Sequence, residues 1–224
     1  MKKFAIIVAG GSGQRMGSSI PKQFLKLGSE VILMQTIRAF YNYDSSCTII
    51  LALPKSQIEY WKQLCKEYQF TINHQLVYGG QTRYHSVKNA LTKVNSPGVV
   101  AIHDGVRPLV SPKTIDITYK TAIQLGNAIP YIDSIDSLRK LENNSSIPVD
   151  RSIYKQIQTP QVFHSDIILK AYEQEWDESF TDDATVVEKI NQKINLVLGN
   201  KENIKITTQI DLLMAQLLIN HSIE

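Results

Sequence analysis

Residues 5–28, AIIVAGGSGQRMGSSIPKQFLKLG, decide the fold, because a hydrophobic run stops there at a cluster of glycines. The residues before the cluster have the apolar, β-branched character of a buried strand. Glycine lets the main chain adopt angles closed to other residues and approach a ligand closely. Arg15 and Lys22 follow the cluster and supply positive charge. The stretch therefore predicts a phosphate-binding loop at the end of a strand.

The rest of the chain alternates between two patterns. Apolar β-branched runs recur at 47–53, 72–79, 99–104 and 127–132, and helical spacing occurs at 32–43, 55–70 and 83–94. Continuous apolar strands are typical of a sheet covered on both faces, and strands alternating with helices favour parallel pairing through right-handed crossovers. We expect an α/β fold with a doubly wound, mostly parallel sheet of Rossmann-like type, in a single domain over 1–224.

Such sheets bind ligands beyond the carboxyl ends of their strands. The glycine loop after Ala9 and the segment HDGVRP at 103–108 both follow predicted strands. We therefore expect the two segments to share one cleft.

The pattern changes near residue 133, where helical spacing is lost. A polar turn, ENNSS at 142–146, separates two extended pieces and predicts a β-hairpin arm over about 134–155. An arm without its own core needs a surface to pack on, and a second subunit would supply one. The tail predicts a helix at 181–192, a strand at 194–199 and a last helix at 209–219.

Composition excludes several classes of protein. The net charge of +3 is spread along the chain without a basic block, which argues against nucleic-acid binding. No apolar run reaches membrane-spanning length, and the N-terminus lacks the pattern of a secretory signal. Cys47 and Cys65 show neither metal-binding spacing nor a disulfide framework. We expect a cytoplasmic protein.

The glycine loop by itself leaves alternatives open. Its glycines do not fit the GxGxxG dinucleotide fingerprint, and no Gly-Lys-Ser/Thr follows as a Walker loop requires. A purely structural turn is the competing interpretation. Arg15, Lys22 and Pro21, which fixes the direction of the chain entering Lys22, favour a loop that wraps a triphosphate.

The stretch AGGSGQRMGSSIPKQFLKL resembles the signature of the sugar-nucleotide and polyol-phosphate nucleotidyltransferases, especially the methylerythritol phosphate cytidylyltransferase branch. The resemblance covers essentially the whole chain. It continues in family order through GGQTRYHSV at 79–87, HDGVRP at 103–108, VDRSIYKQIQTPQVF at 149–163, TDDATVVE at 181–188 and NIKITT at 203–208.

The resemblance implies transfer of a cytidylyl group from CTP to a polyol phosphate. The acceptor's phosphate attacks the α-phosphorus in line, and pyrophosphate leaves. Such a transfer asks a protein mainly to position two anions and neutralise their charge. The implied catalytic cations are Arg15, Lys22 and Lys205. The implied main-chain cradle around the triphosphate comprises Ala9, Gly10, Gly11 and Gly13.

The resemblance also assigns the metal and the base. Asp104 matches the family's ligand for Mg²⁺ or another divalent cation and contributes to nucleotide binding. Gly80, Gln81 and Ser86 match positions that read the base, although many relatives have an acidic residue where Gln81 stands. Arg83 matches an arginine that is either structural or functional. His103 is interpreted as a structural core residue.

Acceptor recognition is implied to depend on the arm of a homodimer. Arg151 matches an arginine that reaches the acceptor's phosphate from the partner subunit, and a guanidinium suits phosphate because it binds two oxygens at once. The remaining acceptor-binding positions implied by the resemblance are Arg107, Ser137, Thr159 and Thr181.

Departures from the family pattern leave some points open. The family's Asp-Thr step before the arm is replaced by Asp-Ser at 133–134 or 136–137, and the second is preferred. Glu202 stands where some relatives place an aspartate on the metal.

Three alternative functions remain. Ribitol-5-phosphate cytidylyltransferase shares most blocks and differs mainly in the arm, where VDRSIYKQ favours the methylerythritol phosphate enzyme. A non-catalytic nucleotide-binding protein on the same fold would be favoured by loss of Lys22, Asp104 or Lys205, and all three are present. A dehydrogenase lacks support because its fingerprint and ribose-binding acid are missing.

Overall fold

The computed structural model describes residues 1–10, 20–143 and 145–220. Its strands are β1 Lys2–Val8, β2 Lys26–Leu27, β3 Glu30–Val31, β4 Thr48–Leu53, β5 Gln75–Tyr78, β6 Gly98–Asp104, β7 Asn127–Asp133, β8 Leu138–Glu142, β9 Ser145–Val149, β10 Lys155–Ile157, β11 Gln161–His164 and β12 Leu196–Leu198. Its α-helices are α1 Ile32–Tyr43, α2 Ile58–Glu67, α3 Arg83–Leu91, α4 Pro112–Leu125, α5 Ser165–Ala171, α6 Asp183–Glu188 and α7 Gln209–Asn220. Short 3-10 turns occupy Lys22–Phe24, Lys55–Gln57 and Arg151–Ile153.

The main sheet runs in the order β5, β4, β1, β6, β11, β7, and β10 and β12 also pair with β7. The first four strands are parallel to one another, as the alternation of strands and helices predicts. Strand β11 is antiparallel to both of its neighbours. The α/β sheet is therefore mostly parallel on the side that carries the glycine loop.

Alternating side chains of the sheet pack against helices on both faces, which is the doubly wound arrangement. On β1, Ala5 and Ile7 face the cluster that contains α1, α2 and α4. Phe4 and Ile6 face the cluster that contains α3, α5 and α6. A smaller cluster, formed by Leu27, Ile32, Val106, Ile206 and Ala215, attaches α7 beside the sheet.

The register of the parallel strands brings their carboxyl ends to one place. Val8 at the end of β1 pairs with Asp104 at the end of β6. The amide of Gly105 donates to the Val8 carbonyl at 2.8 Å, and the amide of Gly79 after β5 donates to the Leu53 carbonyl at 2.7 Å. The expected common cleft at this edge is confirmed for the described residues.

The arm is a two-stranded antiparallel hairpin separate from the main sheet. Strands β8 and β9 pair in a register that runs from Leu138 opposite Val149 to Glu142 opposite Ser145. Most of its side chains are exposed. The predicted projecting β-arm is therefore present.

Some boundaries differ from the sequence-based prediction. The helix predicted at 55–70 begins with a 3-10 turn, and its α-helical part spans Ile58–Glu67. Helix α4, strand β11 and helix α5 were not predicted. Within residues 1–10, 20–143 and 145–220, no helix combines the length and the apolarity needed to cross a membrane.

Candidate active site

A cavity of about 300 Å³ opens at the carboxyl ends of β1 and β6. It is bounded by the loop before α3 and by the segment before α7. The described residues that line it are Val8, Ala9, Gly10, Lys22, Gln23, Gly80, Gln81, Thr82, Arg83, Ser86, Asp104, Val106, Lys205 and Thr207. The loop after β1, the turn after β6 and the segment carrying Lys205 therefore meet in one site.

Asp104 is the buried anion of this cavity. Its Oδ2 lies 3.1 Å from Nε of Arg107 and 3.1 Å from Nζ of Lys205, and its Oδ1 lies 3.6 Å from Nε of Arg83. Burial by itself raises the pKa of Asp104, but the three cations outweigh it and hold that pKa well below its ordinary value. The carboxylate is therefore ionised at neutral pH.

Arg83 is shared between two carboxylates. Its terminal nitrogens donate to both oxygens of Asp183 at 2.9 and 2.6 Å. Asp183 is fully buried in the first turn of α6, and the Tyr172 hydroxyl donates to its Oδ1 at 2.6 Å. Burial by itself lowers the pKa of Arg83, but the two aspartates raise that pKa by a larger amount. The net pKa lies above its ordinary value, so the guanidinium stays charged. Arg83 thus has a structural anchor and also lines the cavity.

His103 supports the turn that carries Asp104. Its Nε2 lies 3.0 Å from the Arg107 carbonyl and its Nδ1 lies 2.9 Å from Oγ1 of Thr159. Because a carbonyl only accepts, Nε2 carries the proton and Nδ1 accepts from the Thr159 hydroxyl. The amide of Asp104 donates to the same hydroxyl at 3.1 Å. The ring is fully buried, and burial lowers its pKa to about 4, which favours the neutral form in this chain of hydrogen bonds.

Arg107 ties the Asp104 turn to the segment before Lys205. Besides its contact with Asp104, it donates from Nη1 to the Asn203 carbonyl at 2.7 Å. The buried side-chain amide of Asn203 donates to the Thr159 carbonyl at 2.8 Å. The backbone amide of Ile206 donates to the Val106 carbonyl at 2.9 Å. These contacts fix the main chain on both sides of Lys205.

The side of the cavity formed by residues 80–86 is a tightly packed turn. The amide of Gly80 donates to Oγ of Ser86 at 3.0 Å, and that hydroxyl donates to the Thr82 carbonyl at 3.0 Å. Thr82 caps α3 by accepting from the His85 amide. A Cβ added at Gly80 would lie 2.3 Å from Cβ of His85. Only glycine fits there without displacement of the helix.

Most of the predicted catalytic and nucleotide-binding residues line the cavity. Those that line the cavity are Ala9, Gly10, Lys22, Gly80, Gln81, Ser86, Asp104 and Lys205. The predicted cradle residues Gly11 and Gly13 and the predicted catalytic Arg15 lie outside the described residues. Their roles stay predictions.

The acceptor-binding set does not line the cavity within the described chain. Ser137, Arg151 and Thr181 are exposed, and Arg151 donates to the Ile135 carbonyl within the arm. Thr159 is buried and its hydroxyl contacts the Asp104 amide and His103, so it supports the turn that carries Asp104. Arg107 contacts Asp104 and Asn203. No contact with an acceptor is tested, and these assignments stay predictions.

The donor set fits a magnesium ion that arrives with phosphates. Among the described residues, no group of three or more His, Cys, Asp or Glu side chains could hold a metal ion. Glu202 is exposed, and one of its carboxylate oxygens accepts a hydrogen bond from the Asn200 side chain. Magnesium commonly uses one or two carboxylates together with water and substrate phosphates. Asp104 can supply the single carboxylate of such a site.

Sequence reasoning missed several residues that shape the site. Asp182 caps α6, and the sequence gives no sign that the neighbouring Asp183 anchors Arg83. Gln23 also lines the cavity and donates to the Ala9 carbonyl at 3.0 Å. Its position directly after Lys22 is the one feature that could have drawn attention to it.

Comparison with known proteins identifies the family. The family model for IspD, 2-C-methyl-D-erythritol 4-phosphate cytidylyltransferase, matches residues 4–221. The enzyme of that name from Phocaeicola vulgatus is 51% identical over 219 residues, which cover 98% of this chain and 100% of the relative. The one from Bacteroides fragilis is 50% identical over 219 residues, with the same coverage.

Solved structures agree. The crystal structure of 4-diphosphocytidyl-2C-methyl-D-erythritol synthase from Anaerococcus prevotii has a TM-score of 0.83 and 29% identity, covering 98% of this chain and 96% of that one. The Thermus thermophilus 2-C-methyl-D-erythritol 4-phosphate cytidylyltransferase has a TM-score of 0.79 and 27% identity, covering 98% and 100%. The chain belongs to the 2-C-methyl-D-erythritol 4-phosphate cytidylyltransferase family of enzymes.

Proposed function

We propose that this protein transfers the cytidylyl group of CTP to 2-C-methyl-D-erythritol 4-phosphate and releases pyrophosphate, a step of isoprenoid precursor synthesis. The observation that carries the proposal is the single cavity that gathers Gly10, Lys22, Asp104 and Lys205 from segments far apart in the chain. Family membership supplies the identity of the substrates.

The nucleotide half of the site is built for close approach to main chain. Ala9 and Gly10 follow β1, and Gly80 lines the same cavity. The turn at Gly80 is held by Ser86 and has no room for a side chain. A pyrimidine fits such a narrow site, and main-chain groups can read its edge. The same closeness would disfavour a purine.

The charge balance favours phosphates. Among the described residues, Arg83, Arg107 and Lys205 face Asp104 and Asp183, which leaves one positive charge in excess. An oxygen of the acceptor's phosphate attacks the α-phosphorus, the bond to the bridging oxygen of the β-phosphate breaks, and pyrophosphate leaves with that electron pair. Lys22 and Lys205 act by holding the phosphates in line and stabilising the added negative charge.

We include Mg²⁺ in the proposal, with Asp104 as its protein ligand. The ion would supply neutralisation of the phosphate oxygens when bound. The role of this chain is to keep the Asp104 carboxylate ionised and oriented. The three neighbouring cations keep the carboxylate ionised. These contacts and the hydrogen bond from the Asp104 amide to the Thr159 hydroxyl keep it oriented.

The acceptor site is completed, in our proposal, by the arm of a second copy. The segment from residue 135 to residue 154 exposes the apolar side chains of Ile135, Leu141, Ile147, Ile153 and Tyr154. Burial of such side chains against another subunit is favourable, and an isolated two-stranded hairpin has little stability of its own. The same contact would carry Arg151 toward the acceptor's phosphate in the neighbouring site.

A cytoplasmic location is part of the proposal, and it is supported by Cys47 and Cys65, which are both free thiols. The alternative acceptor, ribitol 5-phosphate, loses support because the family model and the relatives named above are methylerythritol phosphate enzymes. The direct test is acceptor-dependent release of pyrophosphate from CTP, with both polyol phosphates compared.

A further inference from the structure

Arg83 stands between two carboxylates and pairs fully with only one of them. Its two terminal nitrogens hold both oxygens of Asp183 at 2.9 and 2.6 Å. Its Nε lies 3.6 Å from Asp104, beyond a good hydrogen bond. Both terminal nitrogens of the guanidinium therefore bind Asp183, and only Nε points toward Asp104 in the cavity.

Among the described residues, Asp183 is a buried carboxylate held by two side chains. Its side chain is fully buried, and among the described residues its carboxylate is contacted by Arg83 and by the Tyr172 hydroxyl at 2.6 Å. A buried carboxylate is tolerated only when it is paired and hydrogen-bonded. Asp183 thus holds Arg83 firmly in its present orientation.

Asp104 is committed to protein cations mainly through one of its two oxygens. Both Arg107 and Lys205 already lie 3.1 Å from its Oδ2. The face at Oδ1, where Arg83 stands off at 3.6 Å, is the part of the carboxylate least committed to a protein cation. If Arg83 were released, Asp104 would be the nearest carboxylate that it could pair with.

We propose that Asp183 is a positioning residue, which restrains Arg83 and so keeps the Oδ1 side of Asp104 available to a metal–nucleotide complex. Arg83 then offsets part of the negative charge of Asp104 without occupying the oxygen that would meet the metal. This inference rests on the proposed function, because it takes Asp104 as the carboxylate that meets the metal bound to CTP. It adds a role for Asp183 and Tyr172.

The test measures binding, not turnover. Calorimetry of CTP binding is carried out over a range of Mg²⁺ concentrations and again in EDTA, without acceptor. Asp183→Asn removes the charge that holds Arg83, and we expect the Mg²⁺ concentration for half-maximal CTP binding to rise by about tenfold or more, as loss of outer-shell partners of metal ligands commonly does. The affinity for CTP in EDTA should not weaken.

Three further variants make the outcome specific. Tyr172→Phe keeps the shape of the core and should shift the Mg²⁺ midpoint in the same direction by less, which covers the case in which Asp183→Asn does not fold. Asp182→Ala removes the adjacent helix cap and should leave the midpoint unchanged. In an Arg83→Gln background, Asp183→Asn should have no further effect on the midpoint.

These measurements distinguish failure of the role of Asp183 from failure of the proposed function. Wild-type binding that responds to Mg²⁺, with unchanged midpoints in both Asp183→Asn and Tyr172→Phe, would overturn the role of Asp183 and leave the proposed function standing. Wild-type CTP binding that ignores Mg²⁺ would overturn the metal part of the proposed function and the inference together. An equal shift in Asp182→Ala would assign the effect to loss of α6 and overturn the inference.

Discussion

The ammonium of Lys205 lies 3.1 Å from Oδ2 of Asp104, so the exposed cation before α7 is held by the buried anion at the end of β6. The Lys205 side chain is 43% exposed and the Asp104 side chain 10% exposed. Exposure leaves Lys205 able to turn toward a phosphate, whereas Asp104 is fixed by its surroundings. The pair therefore positions the lysine at the cavity before substrate arrives.

Replacing Lys205 should affect catalysis more than folding. Lys205→Ala removes a cation from the reacting phosphates, and we expect kcat to fall by about 100-fold or more, as loss of one preorganised charge or donor commonly does. Steady-state kinetics with CTP and methylerythritol phosphate measure it. Lys201→Ala is the matched control, since Lys201 is exposed on the same segment and does not line the cavity. Equal losses in both variants would contradict the assignment.

Two glycines of the cavity should respond differently to alanine. Gly80→Ala places Cβ 2.3 Å from Cβ of His85, so we expect destabilisation by about 1–3 kcal/mol. At Gly10 the nearest atom of the described residues to an added Cβ is Oγ of Ser86, 3.9 Å away, so the folded protein should keep its stability. Gly10→Ala should nevertheless weaken CTP binding, because Gly10 lines the cavity proposed to hold the nucleotide against the main chain. Urea unfolding and CTP titration separate the two effects, and unchanged CTP affinity in Gly10→Ala would argue against the proposed cradle.

His103 should make stability depend on pH in a defined window. Burial lowers the pKa of His103 from 6.5 to about 4, so between those values the unfolded chain binds a proton that the folded chain does not. The free energy of unfolding therefore falls as pH drops from 6.5 to 4. From this group alone it should be about 3 kcal/mol higher at neutral pH than at pH 4. Urea unfolding between pH 4 and 7.5 measures the slope.

A His103→Asn variant removes that titrating group. Its stability curve should be shallower than the wild-type curve over the same window, although the variant is less stable at neutral pH. The pKa of His74 is also lowered by burial, but its contribution is common to both proteins and cancels in the comparison. Identical slopes would show that His103 binds as many protons in the folded protein as in the unfolded chain, which would contradict a pKa lowered by burial.

The proposed contribution of Arg151 to the site of a second subunit can be tested by complementation. Lys22→Ala damages a subunit's own cavity, whereas Arg151→Ala should damage the site of its partner. Co-expression of the two variants should restore about a quarter of wild-type activity, since half of the dimers are mixed and each mixed dimer has one complete site. Co-expression of Lys22→Ala with Lys205→Ala, which both damage their own cavity, should restore none. Recovery in neither mixture would contradict an acceptor site shared between copies.

Much of the fold could be predicted because its strands are nearly continuous apolar runs. Strands β1, β4 and β6 are buried on both faces, and their positions follow from β-branched residues alone. Helix α4 escaped prediction although Ser111 caps it and Gly126 ends it in a left-handed conformation. Strand β11 is four residues long, and nothing local indicates that it runs antiparallel between β6 and β7.

The site was predicted where its residues follow a strand or a recognisable block. Asp104 and Lys205 belong to such segments, and the shared strand edge explains why they meet. The pairing of Arg83 with Asp183 could not be predicted, because the two residues are joined only by packing of α3 beside α6. The same holds for Thr159, whose hydroxyl faces inward to His103 and the Asp104 amide rather than outward.

The central claim is tested most directly by pyrophosphate release from CTP and Mg²⁺ with methylerythritol 4-phosphate or ribitol 5-phosphate as acceptor. A Lys22→Ala preparation, purified in the same way, guards against a contaminating enzyme. We predict release with methylerythritol 4-phosphate, little or none with ribitol 5-phosphate, and loss of activity in the variant. Release with ribitol 5-phosphate alone, or no release with either acceptor, would contradict the account.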